Sequence, residues 1–136
     1  VRVEVTVRGV PAPQGSKRHV GSGRMIEQSR AVGPWREAVR AETQRTMEHV
    51  AILDGPVTLT VTFRLPRPKT VKAAWPGKRP DLDKLCRAVL DGLTDGGAWH
   101  DDGQVVVIRA AKFYARDGFP PGCVLTIDQL KEEPAC

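Results

Sequence analysis

Valine occupies every odd position of the opening segment VRVEVTVR (residues 1–8), with charged residues or threonine between. That two-residue period predicts a half-buried strand. Residues 9–28 are rich in Pro, Gly and Ser and predict a loop. A helical spacing follows from about Ser29 to Val50, with Val32, Trp35, Val39 and Met47 on its inner side and Pro34 near its start, where a missing N–H costs least. The run PVTLTVTFRL (56–65) is rich in β-branched residues and predicts a second strand. After a proline- and lysine-rich loop from Pro66 to Pro80, the segment DLDKLCRAVLDGLTDGG places Leu82, Leu85, Cys86, Val89, Leu90 and Leu93 on one helix face. Gly96 and Gly97 end that helix. Two further strands, QVVVIRAAKFY (104–114) and GCVLTIDQL (122–130), are joined by the turn-forming ARDGFPPG. The order β-α-β-α-β-β predicts an α/β (α+β) sandwich, one mixed sheet carrying two helices, in a single domain spanning residues 1–136.

Composition changes this picture little, but charge changes it more. Hydrophobic residues make up 40% and charged residues 27%, as in ordinary globular chains. A net charge of +5 favours a polyanionic partner. The distribution says more than the total. No acid occurs from Gly55 to Pro80, a stretch containing Arg64, Arg67, Lys69, Lys72, Lys78 and Arg79. Lys17, Arg18 and Arg24 lie among the glycines of the earlier loop. The sign then reverses, with Asp81, Asp83, Asp91, Asp95, Asp101 and Asp102 following in close succession. Basic arms beside an acidic cluster suit a nuclease: cations hold the phosphate backbone and carboxylates hold a divalent metal. Solvated loops, helix caps and turns are the plainer explanation of the same residues. Trp75, among the lysines, could stack on an unpaired base or anchor its loop to the core.

Asp81 follows Pro80 and precedes the apolar helical run, so it falls at the N-cap, with Asp83 in the first turn. Within a helix, Asp-x-Asp separates the side chains by about 200°. With the first acid at the cap, both carboxylates can face one ion. Asp101 and Asp102 lie where the chain returns from the helix to the sheet, and that turn can approach the same helix N-terminus. Clustered carboxylates of this kind suit Mg²⁺ or Mn²⁺ and not zinc. His19, His49 and His100 are scattered, and Cys86, Cys123 and Cys136 show neither metal-ligand spacing nor a disulfide framework. His100, next to the acid pair, is a surface residue or a proton carrier. Asp83, Arg87 and Asp91 are four apart, a pattern of surface ion pairs. If Asp83 binds metal, Arg87 points at the scissile phosphate.

The segment from Arg79 to Lys112 resembles the RusA family of Holliday-junction resolvases of bacteria, phages and prophages. The resemblance rests on Asp81-Leu82-Asp83-Lys84-Leu85-Cys86-Arg87, Leu90-Asp91-Gly92-Leu93, Asp101-Asp102-Gly103-Gln104-Val105 and Lys112. PAPQGSKR, the Trp35-Arg36 helix start and the second strand are also similar to that family's layout. The resemblance implies catalytic, metal-binding Asp81, Asp83 and Asp102, with Asp101 as a nearby acid. It also implies a homodimer that cuts two opposed strands of a four-way junction. Lys84 stands where the family has Asn, and Arg87 where it has Lys. Arginine keeps the charge and adds bidentate phosphate contact, but is no ready proton donor.

The combined expectation is an Mg²⁺-dependent enzyme, with Mn²⁺ as a substitute, acting on DNA junctions. Asp81, Asp83, Asp101 and Asp102 would hold metal and Arg87 would assist catalysis. Lys17, Arg18, Arg24, Lys69, Lys72, Lys78, Arg79, Lys84 and Lys112 would contact DNA. No small-molecule cofactor, signal peptide or membrane segment is expected, and the expected location is the bacterial cytoplasm. The rivals are a less selective nuclease of flaps and branched DNA, and a junction-binding protein without catalysis.

Overall fold

A computed structural model describes residues 1–15, 17–20, 24–27 and 30–131, with side chains described for 1–15 and 30–131. The chain runs β1 (Arg2–Arg8), β2 (Lys17–Val20), β3 (Arg24–Glu27), α1 (Val32–Thr46), β4 (Val57–Leu65), α2 (Leu82–Asp95), β5 (Val105–Tyr114) and β6 (Gly122–Gln129). Short 3₁₀ turns follow α1 (Met47–His49) and precede β5 (Asp102–Gln104). The expected sheet and helices are present in the expected order.

The main sheet has the order β1-β6-β4-β5. β4 and β5 are parallel and joined through α2, because parallel neighbours need a long crossover. β6 pairs antiparallel with both β1 and β4. The period-two patterns read from the sequence face one side. Val3, Val5, Val7, Val57, Leu59, Val61, Phe63, Leu65, Cys123, Leu125 and Ile127 are all buried. Both helices pack on that side through Val32, Trp35, Val39, Leu85, Val89 and Leu93. α1 lies against β1 and α2, and α2 reaches toward β5.

The helices meet closely. A Cβ on Gly92 would come within 2.7 Å of the Val39 side chain, and one on Gly96 within 2.6 Å of Thr43. Gly96 is therefore a packing residue, and the helix is stopped by Gly97, whose φ of +83° is left-handed. Beyond it Trp99 is buried and donates from Nε1 to Thr94 Oγ1 at 2.8 Å, turning the chain back to the sheet.

The expected loop over residues 9–28 needs correction, because it contains the antiparallel hairpin β2–β3, with Lys17 opposite Glu27 and Val20 opposite Arg24. In the sequence the two four-residue runs are separated by Gly21-Ser22-Gly23, which lie outside the described residues. The runs are too short to alternate visibly. Helix α1 begins at Val32, and Ser29, its expected start, lies outside the described residues.

Candidate functional site

α2 packs toward the edge strand β5 but leaves part of that strand's face open. Ile108 and Ala110 on β5 fall in register with the buried Leu59 and Val61, yet Ile108 remains 43% exposed. The result is a groove of about 1100 Å³ lined by Asp83, Arg87, Asp91 and Leu90 of α2, by Asp102, and by Ile108 and Ala110. Gln14 and Gly15 close one side, held there by a hydrogen bond from the Gln14 N–H to the Lys84 carbonyl at 3.0 Å. Leu82 and Leu90, expected in the core, are half-buried because they form its apolar wall.

The spacing of four in Asp83-Arg87-Asp91 makes one stripe along α2, with about 12 Å between its ends. Asp81 occupies the N-cap position, in extended backbone, but its side chain makes no capping hydrogen bond. Its carboxylate lies 3.8 Å from Lys84 Nζ and is half exposed. The capping explanation of Asp81 therefore does not account for its side chain. The Arg79–Pro80 peptide that leads into it is cis.

The adjacent acids of the return turn have different surroundings. Asp101 caps the 3₁₀ turn, accepting from the Gly103 N–H at 2.9 Å within a capping box completed by Gln104. Gln104 also donates to the carbonyls of Leu53 and Gly55 at 2.9 Å each, fastening this turn to the sheet. Asp102 is free of such duties and lines the groove. His100 is exposed and its Nε2 is 2.8 Å from Asp54 Oδ1.

Asp91, whose spacing suits a surface ion-pair ladder, faces the same space as Asp102. Burial pushes its carboxyl above the usual range, the nearby Arg36 opposes this, and Asp102 adds to it. Arg36 itself donates to Gln14 Oε1 at 2.7 Å. No local sequence signal places Asp91 beside Asp102, since their proximity depends on the path of the chain around Trp99.

Among the described residues, no group of three or more Asp, Glu, His or Cys side chains is placed to hold a metal ion. The expected convergence of Asp81, Asp83, Asp101 and Asp102 on one point is thus not closed in the single chain. The donor chemistry nevertheless fits a hard cation. The acids lining the groove are Asp83, Asp91 and Asp102, and Mg²⁺ is commonly held by one or two carboxylates with water and substrate phosphate completing the shell.

Of the basic residues expected on DNA, Lys69, Lys72, Lys78 and Arg79 are exposed in the loop before α2. Lys84 is half-buried beside Asp81. Lys112 instead donates to the carbonyls of Lys78 and Pro80 at 2.7 Å each and so secures that loop. Lys17, Arg18 and Arg24 lie on the hairpin, their side chains outside the described residues. Cys136, too, is outside the described residues, while Cys86 and Cys123 are free thiols. No described helix is long and apolar enough to cross a membrane.

Residues 7–127 match the family model described as endodeoxyribonuclease RusA. A crossover junction endodeoxyribonuclease RusA of Escherichia coli (strain K12) is 34% identical over 84 residues, which are 61% of this chain and 70% of that protein. The crossover junction endodeoxyribonuclease of Enterobacteria phage 82 is 33% identical over the same shares of the two chains. An uncharacterized protein, YqaN, of Bacillus subtilis (strain 168) is 27% identical over 128 residues, 85% of this chain and 89% of its own.

Proposed function

The chain belongs to the RusA family of endodeoxyribonucleases, and on that footing we propose that it resolves Holliday junctions by metal-dependent phosphodiester hydrolysis in the α2–β5 groove. The observation that carries the reading is the placement of Asp83, Arg87 and Asp102 along one open groove, on a helix that an acid-free basic loop leads into and the return turn that follows it. Four-way DNA junctions are the substrate, and products carry 5′-phosphate and 3′-hydroxyl ends. The setting is recombination and repair in the bacterial cytoplasm, whether the enzyme is encoded by host, prophage or phage.

Asp83 and Asp102 are the groove acids that would hold Mg²⁺ or Mn²⁺, with Asp81 at the groove's helix end. The bound ion supplies Lewis-acid stabilisation of phosphate charge and a more acidic water. Arg87, one turn along α2 from Asp83, is suited to neutralise the scissile phosphate as its charge grows. Its fixed charge makes it a stabiliser and not a proton donor. Lys69, Lys72, Lys78 and Arg79 would grip the backbone of the arms by charge and shape. Lys112 and Gln104 are positioning residues, since each fastens a segment that carries an acid.

A homodimer follows from the same reading. Twofold symmetry would present two grooves to two opposed strands, so each dimer makes paired nicks. The test is to incubate the protein with labelled four-way DNA and matched duplex, with and without Mg²⁺. Cleavage of the junction alone, only with the ion, is expected. Equal cutting of flaps, or binding without cutting under any divalent ion, would replace this reading with a less selective nuclease or a non-catalytic junction binder. A cruciform plasmid reports pairing, because concerted nicks linearise it and single nicks relax it.

A further inference from the structure

At the far ends of β4 and β5 the basic loop folds onto the sheet in a way that the cleavage chemistry does not use. Arg64 lies with its guanidinium carbon 4.7 Å from the Phe113 ring centre and 4.5 Å from that of Phe119. Arg116 covers Phe119 at 4.8 Å, and Arg67 covers Tyr114 at 5.3 Å. Trp75 packs against Phe113 with ring centres 5.2 Å apart and a 39° tilt, yet is 65% exposed. A cavity of about 410 Å³ opens among Arg64, Arg67, Trp75, Phe113, Tyr114 and Arg116, and no acidic residue is among those lining it.

The loop has anchors besides Trp75. Its neighbour Pro76 is buried. Arg67 donates to the carbonyls of Val71 and Ala73, at 3.2 and 2.8 Å, and Lys112 secures the loop's end. A large aromatic ring left open when its loop is held by others is costly to hydration and useful to a flat ligand. Three arginines without an acid among them add attraction for phosphate.

We propose that Trp75 and the arginines around it form a stacking platform for an unpaired nucleobase and its adjoining phosphate. In a duplex both faces of each base are covered, so only an unpaired base offers a face to the indole. Asp81 lies six positions after Trp75, a span of at most about 22 Å, which places the platform within a few nucleotides of the groove. Resting on the resolvase reading, the inference gives the enzyme a handle on the unpaired nucleotides at the branch point.

Tryptophan emission tests it directly. Trp35 and Trp99 are buried, so quenching by a ligand reports Trp75. Single-stranded oligothymidylate added to the full chain without divalent ions is expected to quench the exposed emission. Trp75→Phe should abolish the quenching but bind tighter than Trp75→Ala, which should bind about tenfold more weakly than the native chain. Quenching that survives in Trp75→Phe, or native affinity in Trp75→Ala, would overturn the platform. So would a concentration-dependent blue shift without DNA, the sign of a protein partner on this surface. Stacking without junction cutting would keep the platform and lose the resolvase, whereas cutting without quenching would do the reverse.

Discussion

Lys112 on β5 donates its ammonium to the Pro80 carbonyl at 2.7 Å, one residue before Asp81. The same ammonium reaches the Lys78 carbonyl, also at 2.7 Å, so a single side chain ties the edge strand to the segment that delivers the first two acids. Hydrogen bonds from a charged donor contribute about 2 kcal/mol each. Lys112→Met should therefore lower the melting temperature and speed amide exchange around residues 78–82. Cleavage should fall while the rest of the fold exchanges normally. Native exchange at those amides would mean that the loop is held by other contacts.

Gly92 marks a close approach of α1 and α2, where a Cβ would lie 2.7 Å from Val39. In an open helix, alanine in place of glycine gains about 1 kcal/mol. Here overpacking should outweigh that gain, so Gly92→Ala should destabilise by about 1–2 kcal/mol. Urea denaturation measures it. A raised midpoint would show that the helices can part without loss.

Burial pushes the Cys123 thiol up to about 12 from an ordinary value of 9.0. In the folded chain it stays protonated where an unfolded chain would already be ionising. Its contribution to stability is full below pH 9 and is lost as pH rises toward about 12. At pH 9, Cys123 in the native protein should resist iodoacetamide and react once the chain is unfolded in guanidinium. Rapid native labelling, located by mass spectrometry, would contradict its burial.

Lys69, Lys72 and Lys78 are exposed on the basic loop. Replacing all three by Ala should weaken junction binding and flatten its dependence on salt by about two to three units of log–log slope, roughly 0.9 for each lost phosphate contact. Titrations at several salt concentrations measure the slope. An unchanged slope would place the loop away from DNA.

The local parts of this arrangement are legible in the sequence. Valine alternation marks β1 and the helical period marks the buried face of α2, because each is a repeat within a few residues. Pro80-Asp81-Leu82 is enough to place Asp81 at the cap position. What cannot be read locally depends on chain return. Asp91 meets Asp102 only because Trp99 turns the chain back, and Lys112 meets Pro80 across more than thirty positions. The contrast between Asp101 and Asp102 is equally hidden, since it turns on which carboxylate the 3₁₀ turn captures. The β2–β3 hairpin escapes a periodicity reading because its strands are only four residues each.

That contrast between the two acids offers the sharpest test of the site. Asp101 accepts a backbone hydrogen bond that asparagine can also accept, whereas Asp102 lines the groove with its charge uncommitted. Cleavage of a labelled four-way junction in Mg²⁺ should therefore be compared between Asp101→Asn and Asp102→Asn, with binding of each measured in parallel. Asp101→Asn is expected to cut within a few-fold of the native rate. Asp102→Asn is expected to cut at least about 100-fold more slowly, a loss of about 2.7 kcal/mol of transition-state stabilisation, while binding the junction as well or better. Native cleavage by Asp102→Asn, or its loss in Asp101→Asn with Asp102→Asn active, would contradict the assignment of the groove as the catalytic site.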